Sequence, residues 1–122
     1  MTSVNSDVDI LTRPGGNDQV AAKKVLLAVL ASAEADRLGI APAAASVNAV
    51  RAEFLDGLDL DDPTRRAAWL ADAGLGEQDF ESVMRDLAAV MVVEQQLAAA
   101  IAPRVELHRR LMGARARRVA GG

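Results

Sequence analysis

The densest run of potential ligands in this 122-residue chain is "DGLDLDDP", residues 56 to 63, whose closely spaced carboxylates invite a calcium site. A helix–loop–helix calcium loop needs alternating oxygen ligands, glycine at its sixth position and glutamate at its twelfth. Counted from Asp59, those positions hold Thr64 and Leu70, so the stretch is expected to be an acidic turn and a helix cap. His108 is the only histidine and there is no cysteine, which excludes a multi-histidine or thiolate metal centre. His108 and Glu94 remain as candidate acid or base groups for a small motif-free pocket. No GxSxG elbow marks a nucleophile, and "RPGGND" lacks the GxxxxGK[ST] pattern that cradles phosphate. No catalytic residue, resident metal or cofactor is therefore expected.

Charge is unevenly placed. Of fourteen basic and seventeen acidic residues, six arginines and one glutamate fall within residues 104 to 118, leaving eight basic and sixteen acidic residues elsewhere. Arg104, Arg109, Arg110 and Arg115 thus form a candidate surface for an acidic partner. Single-stranded nucleic acid would want aromatic stacking platforms, and the three aromatic residues, Phe54, Trp69 and Phe80, are expected in the core, so nucleic acid is disfavoured.

These side chains must be carried by helices. Half the residues are hydrophobic (51%) while only 2% are aromatic, so the core has to be built from Ala, Leu, Val and Ile, which favours an all-α domain. The N-terminus lacks a signal-peptide pattern and the apolar runs are far shorter than the roughly 20 residues a membrane span requires, so a cytoplasmic protein is expected.

Periodicity and stop signals predict five helices. Residues 1–18 mix Ser, Asn, Asp, Pro and Gly and read as a flexible arm, residues 19–118 as one domain, and residues 119–122 as a frayed tail. The first helix runs from about Gln19 to Gly39; it is so rich in Val and Leu that it should be largely buried. A second carries Val47, Val50, Phe54 and Leu55. A third starts at Asp62-Pro63 and ends at Gly74, with Trp69 and Leu70 facing inward. A fourth starts at Glu77 and continues past Leu97 and Ile101 until Pro103, and a basic fifth follows. Leu75 is expected to plug the corner at "GLG", where it would meet Trp69 and Phe80.

Between Glu34 and Val105 the chain resembles the helical peptide-binding domain of the SurA and trigger-factor type. The resemblance is carried by Leu38, Gly39, Ile40, Val47, Val50, Phe54, Trp69, Leu70, Gly74, Leu75, Glu77, Phe80, Met84, Arg85 and Leu97. It covers about two-thirds of the chain and implies a small orthogonal bundle that cradles extended polypeptide in apolar grooves. The parvulin isomerase domain that accompanies exported relatives has no counterpart here, so prolyl isomerisation is not implied. Similar segments also resemble accessory proteins that present a ribosomally made peptide to a modifying enzyme.

The expected function is therefore a non-catalytic module that binds a peptide or protein segment and presents it to a partner enzyme. Its groove would be lined by Val83, Met84, Leu87, Met91, Leu107 and Met112, the methionines adapting to varied guests. A homodimer through the apolar excess at "AAVMVV", residues 88–93, fits the same features. The alternative is a small helical enzyme or enzyme subunit in peptide or natural-product biosynthesis, using Glu94 or His108.

Overall fold

The computed structural model describes residues 6–121, which form six helices and no strand: α1 (Asp7–Leu11), α2 (Asp18–Leu38), α3 (Ala44–Leu55), α4 (Pro63–Asp72), α5 (Glu77–Gln96) and α6 (Ala98–Gly121). This is a small all-α bundle. The helix ends follow local backbone rules. Gly39 (φ 69°) and Gly74 (φ 75°) close α2 and α4 in left-handed caps, and in each the next residue reaches back to a carbonyl five residues earlier: Ile40 N–H to Ala35 O and Leu75 N–H to Leu70 O, both 2.9 Å. Asp62 caps α4 by accepting from the Thr64 N–H at 3.2 Å, with Pro63 in the first turn. At the start of α5 the Asp79 carboxylate accepts from the Gly76 N–H at 2.9 Å.

Helix α5 is the central element, and its faces are divided between two clusters. Phe80, Met84, Leu87 and Ala88 pack with Val8, Val47, Val50, Leu55, Leu60 and Leu70; further along, Ala89, Val90 and Val93 pack with Ala31 and Ala35 of α2. Arg51 of α3 grips Glu81 of α5 through two parallel bonds, Nε to Oε1 at 2.8 Å and a second guanidinium nitrogen to Oε2 at 2.6 Å, which fixes the α3–α5 register.

Several expectations are corrected. The arm expected over residues 1–18 falls partly outside the described residues, but Asp7–Leu11 is helical and buries Val8 against α3 and α5. Ser6 caps it by accepting from the Asp9 N–H at 3.1 Å, so the polar composition there serves capping. Only Ala31 and Ala35 of α2 are fully buried, and its large aliphatic residues lie outside. Trp69 is 41% exposed while Leu70 is 2% exposed: consecutive helical residues diverge by about 100°, so the narrow face α4 buries takes Leu70 and leaves the ring at the rim against Phe54, centroids 6.5 Å apart. Phe54 fills the place expected for Leu75, standing 5.7 Å from Phe80 in an edge-on contact, while Leu75 is exposed.

The helix after Glu77 ends at Gln96 rather than at Pro103, and α6 leaves α5 at an angle of 88° after the single residue Leu97. The Leu97 carbonyl accepts from both Ala100 and Ile101 N–H groups at 2.9 Å, which starts the new helix. Pro103 then lies inside α6, where its missing N–H deprives the Ala99 carbonyl of its usual donor. The 24 residues of α6 bury none of their side chains.

Candidate functional site

Because α5 is central, a shallow cleft opens on each side of it. One lies against α3, where Ser46, Ala49, Val50 and Glu53 face Ala88, Met91, Val92 and Gln95 across about 260 Å³. Its floor is apolar and its rim carries a hydroxyl, a carboxylate and an amide, the groups that would meet the backbone of a guest. The other lies against α2, where Val25, Ala28 and Val29 face Val83, Leu87 and Val90 across about 170 Å³. Enclosed sites for small molecules usually hold roughly 300 Å³ or more, so both clefts suit a side chain or two of another polypeptide better than a whole metabolite.

The six residues expected to form one groove are dispersed. Val83 and Leu87 line the α2–α5 cleft and Met91 the α3–α5 cleft. Met84, only 1% exposed, is the largest fully buried side chain and belongs to the core cluster that also holds Val47, Val50 and Phe80. Leu107 and Met112 sit exposed on α6, carried away from both clefts by the 88° turn. The self-association face expected at residues 88–93 is largely consumed as well: Ala88, Ala89, Val90 and Val93 are buried against α2 and α3.

The arginines of α6 are exposed and are distributed around the helix rather than along one face. Glu106 is shared by Arg109 at 3.0 Å and Arg110 at 2.9 Å, and the Arg104 guanidinium donates to the Ala100 carbonyl at 3.1 Å. Arg115, Arg117 and Arg118 continue toward the end of the helix, with Val105, Leu107, Leu111, Met112 and Val119 exposed between the charges.

Of the two candidate acid–base residues, His108 stands on the exposed α6 with Glu106 already engaged by arginines. Glu94 has a partner that sequence reasoning missed. Its carboxyl hydrogen-bonds Asp7, the first residue of α1, and this bond, loss of solvent and the repulsion of the Asp7 carboxylate together raise its pKa to about 7. Glu94 itself stands at the surface and neither carboxylate lines either cleft. The spacing Ser6–Asp9, a short capping signature ahead of Ile10 and Leu11, was the signal that a helix would bring Asp7 into the fold. Among the described residues no group of three or more His, Cys, Asp or Glu side chains could hold a metal ion.

No family model, curated protein or solved structure matches the chain.

Proposed function

We propose that this chain is a non-catalytic accessory module that binds a segment of a partner polypeptide, in the manner the resemblance to chaperone peptide-binding domains implies. The observation that carries the reading is α6: 24 residues, no buried side chain, five exposed large aliphatic residues and six arginines. An isolated helix gains little from propensity alone, and most helical stability in proteins comes from packing an apolar face. A helix of this composition is completed by contact with another chain. The aliphatic side chains supply the contact area and the arginines select a partner with acidic groups at the rim. The α3–α5 cleft with Met91 adds a second, smaller apolar recess for the same guest.

The test is capture from native lysate by the intact chain, compared with a Leu107→Asp/Leu111→Asp variant and an Arg109→Glu/Arg110→Glu variant. The expected result is one dominant polypeptide, retained by the parent and lost by both variants, each still helical by circular dichroism. Equal capture by all three, or none by the parent, refutes the reading.

One observation favours a second reading, a small acid–base enzyme: a carboxyl poised near neutrality at Glu94 is the kind of group general acid–base catalysis uses. Its surface position, away from both clefts, places it second.

A further inference from the structure

Helix α2 is built from two four-residue seams of identical spacing, two residues out of step. Lys24, Ala28, Ala31 and Ala35 turn toward α5 and are buried or half-buried. Ala22, Leu26, Val29 and Ala33 repeat the same steps of four, three and four about 200° around the helix, with Val29 and the flanking Val25 at the edge of this seam where it borders the α2–α5 cleft. The larger side chains are on the outer seam. With the flanking Val25 and Leu30, Leu26 and Val29 each keep half or more of their surface exposed. Contiguous exposed aliphatic side chains of this kind are a candidate interaction surface on a folded protein.

We propose that this outer face of α2 pairs with the same face of a second copy of the chain, the two helices running antiparallel about a twofold axis between residues 27 and 28. Three features of the face select a second copy as occupant. The steps of four, three and four are those of a helix–helix seam, and a partner with the same spacing interdigitates with it. The seam is self-complementary when reversed: Ala22 falls opposite Ala33 and Leu26 opposite Val29, with Val25 on one flank and Leu30 on the other each beside its own copy, so small residues meet small ones and large meet large, as a twofold contact requires.

Charge agrees. Helix α2 holds Asp18, Glu34 and Asp36 against Lys23, Lys24 and Arg37 and is neutral overall, whereas α6, with six arginines to one glutamate, repels its own copy. In the antiparallel arrangement Lys23 of one helix shares a flank with Glu34 of the other, offset by two residues or about 3 Å of rise. On the remaining flank Asp18 comes level with the partner's Asp36 near the helix ends, where helices crossing at about 20 to 50° have separated. The area is below that of a standard interface, so the dimer is a reversible one with a dissociation constant on the order of micromolar.

The native chain has no cysteine, which makes the geometry directly testable in the full-length protein. In the proposed register Ala22 faces the partner's Ala33, while the two Ala22 positions stand about 16 Å apart, far beyond disulfide reach. The double variant Ala22→Cys/Ala33→Cys is expected to give a covalent dimer on oxidation with diamide, and Ala22→Cys alone is not. Adding Leu26→Asp, at a half-exposed position that leaves the monomer folded, is expected to abolish cross-linking and to move the parent chain from dimer to monomer in sedimentation velocity at several hundred micromolar. A parent chain that stays monomeric throughout overturns the proposal. So does cross-linking by Ala22→Cys alone, which signifies parallel pairing, or a dimer indifferent to Leu26→Asp, which places the contact elsewhere, α6 included. Loss of partner capture in the α6 variants leaves these outcomes unchanged, so the two proposals fail separately.

Discussion

Met84 and Val83 are neighbours in sequence and opposite in environment, and exchanging each for alanine separates core from surface. Met84 is 1% exposed. Truncation removes most of a buried side chain, about 2 kcal/mol of transfer free energy. The cavity left, about 70 Å³ if nothing collapses, adds about 1.7 kcal/mol at 24 cal/mol per Å³. A loss of about 3 to 4 kcal/mol is therefore expected for Met84→Ala. For a domain of this length, at about 4 °C per kcal/mol, the melting temperature falls by about 12 to 16 °C. Val83 is about half exposed and opens no enclosed cavity, so Val83→Ala should cost under about 1 kcal/mol. Thermal unfolding followed by circular dichroism, with urea titration to check that the slope is unchanged, measures both. A Met84→Ala protein that melts within 3 °C of the parent yet loses its guest would refute the core assignment and restore Met84 to a binding groove.

Glu94 has its pKa raised from 4.5 to about 7 in the fold, so the folded state binds more protons than the unfolded chain between those values. The contribution is present in full below pH 4.5 and is lost as pH rises through about 7; because the group is exposed and screened, it amounts to no more than about 1 kcal/mol. Glu94→Gln keeps a hydrogen-bond donor for Asp7 and should flatten the stability profile between pH 5 and 7.5, read as urea midpoints at half-unit steps; an unchanged profile rejects the pairing. At Gly74, whose φ of 75° suits glycine and whose added Cβ would meet nothing within 4 Å, alanine costs only backbone strain, about 1 kcal/mol or about 4 °C in melting temperature. Ending the chain after Ala102 removes most of α6 without uncovering a buried side chain, so the body should keep its melting temperature to within about 3 °C while losing the captured partner; a collapse in stability would show α6 to be part of the core.

The parts of the fold legible in the sequence are those that depend on a few adjacent residues. Left-handed caps at Gly39 and Gly74, the Asp62-Pro63 start and the acidic first turn of α5 follow from backbone rules that need no knowledge of the tertiary structure. What could not be read is which face each helix buries. Helix α2 has an apolar residue on nearly every side, and composition favours burying the large ones; the bundle instead buries its alanines, which let α2 lie close against Ala89, Val90 and Val93 of α5. The candidate groove failed for the same reason: residues 83 to 91 are one amphipathic run in sequence, yet a central helix divides its faces among several neighbours. The turn at Leu97 has neither glycine nor proline to announce it, and Pro103, the visible breaker, is absorbed inside α6.

The separation of α6 from the body has a physical reason that bears on its role. A helix with a net charge of about +5 is attracted to a body that carries the remaining sixteen acidic and eight basic residues, yet at physiological salt exposed charges are screened beyond about 8 Å. Folding back would have to be driven by apolar contact, and α6 carries its aliphatic residues on two faces. Val105, Met112 and Val119 repeat every seven residues along one; Leu107 and Leu111 lie along another, turned from Met112 by roughly 140 to 100°. Docking one face on the body would leave the other in water, and the arginines between them would lose hydration, a cost that Glu81 and Glu77, already engaged by Arg51 and Arg66, would not offset. A partner polypeptide that contacts both faces, and brings its own acidic groups to the rim, meets neither penalty. On the proposed function an external chain therefore covers α6 better than the body does, and changes to the body and to the helix are expected to act separately.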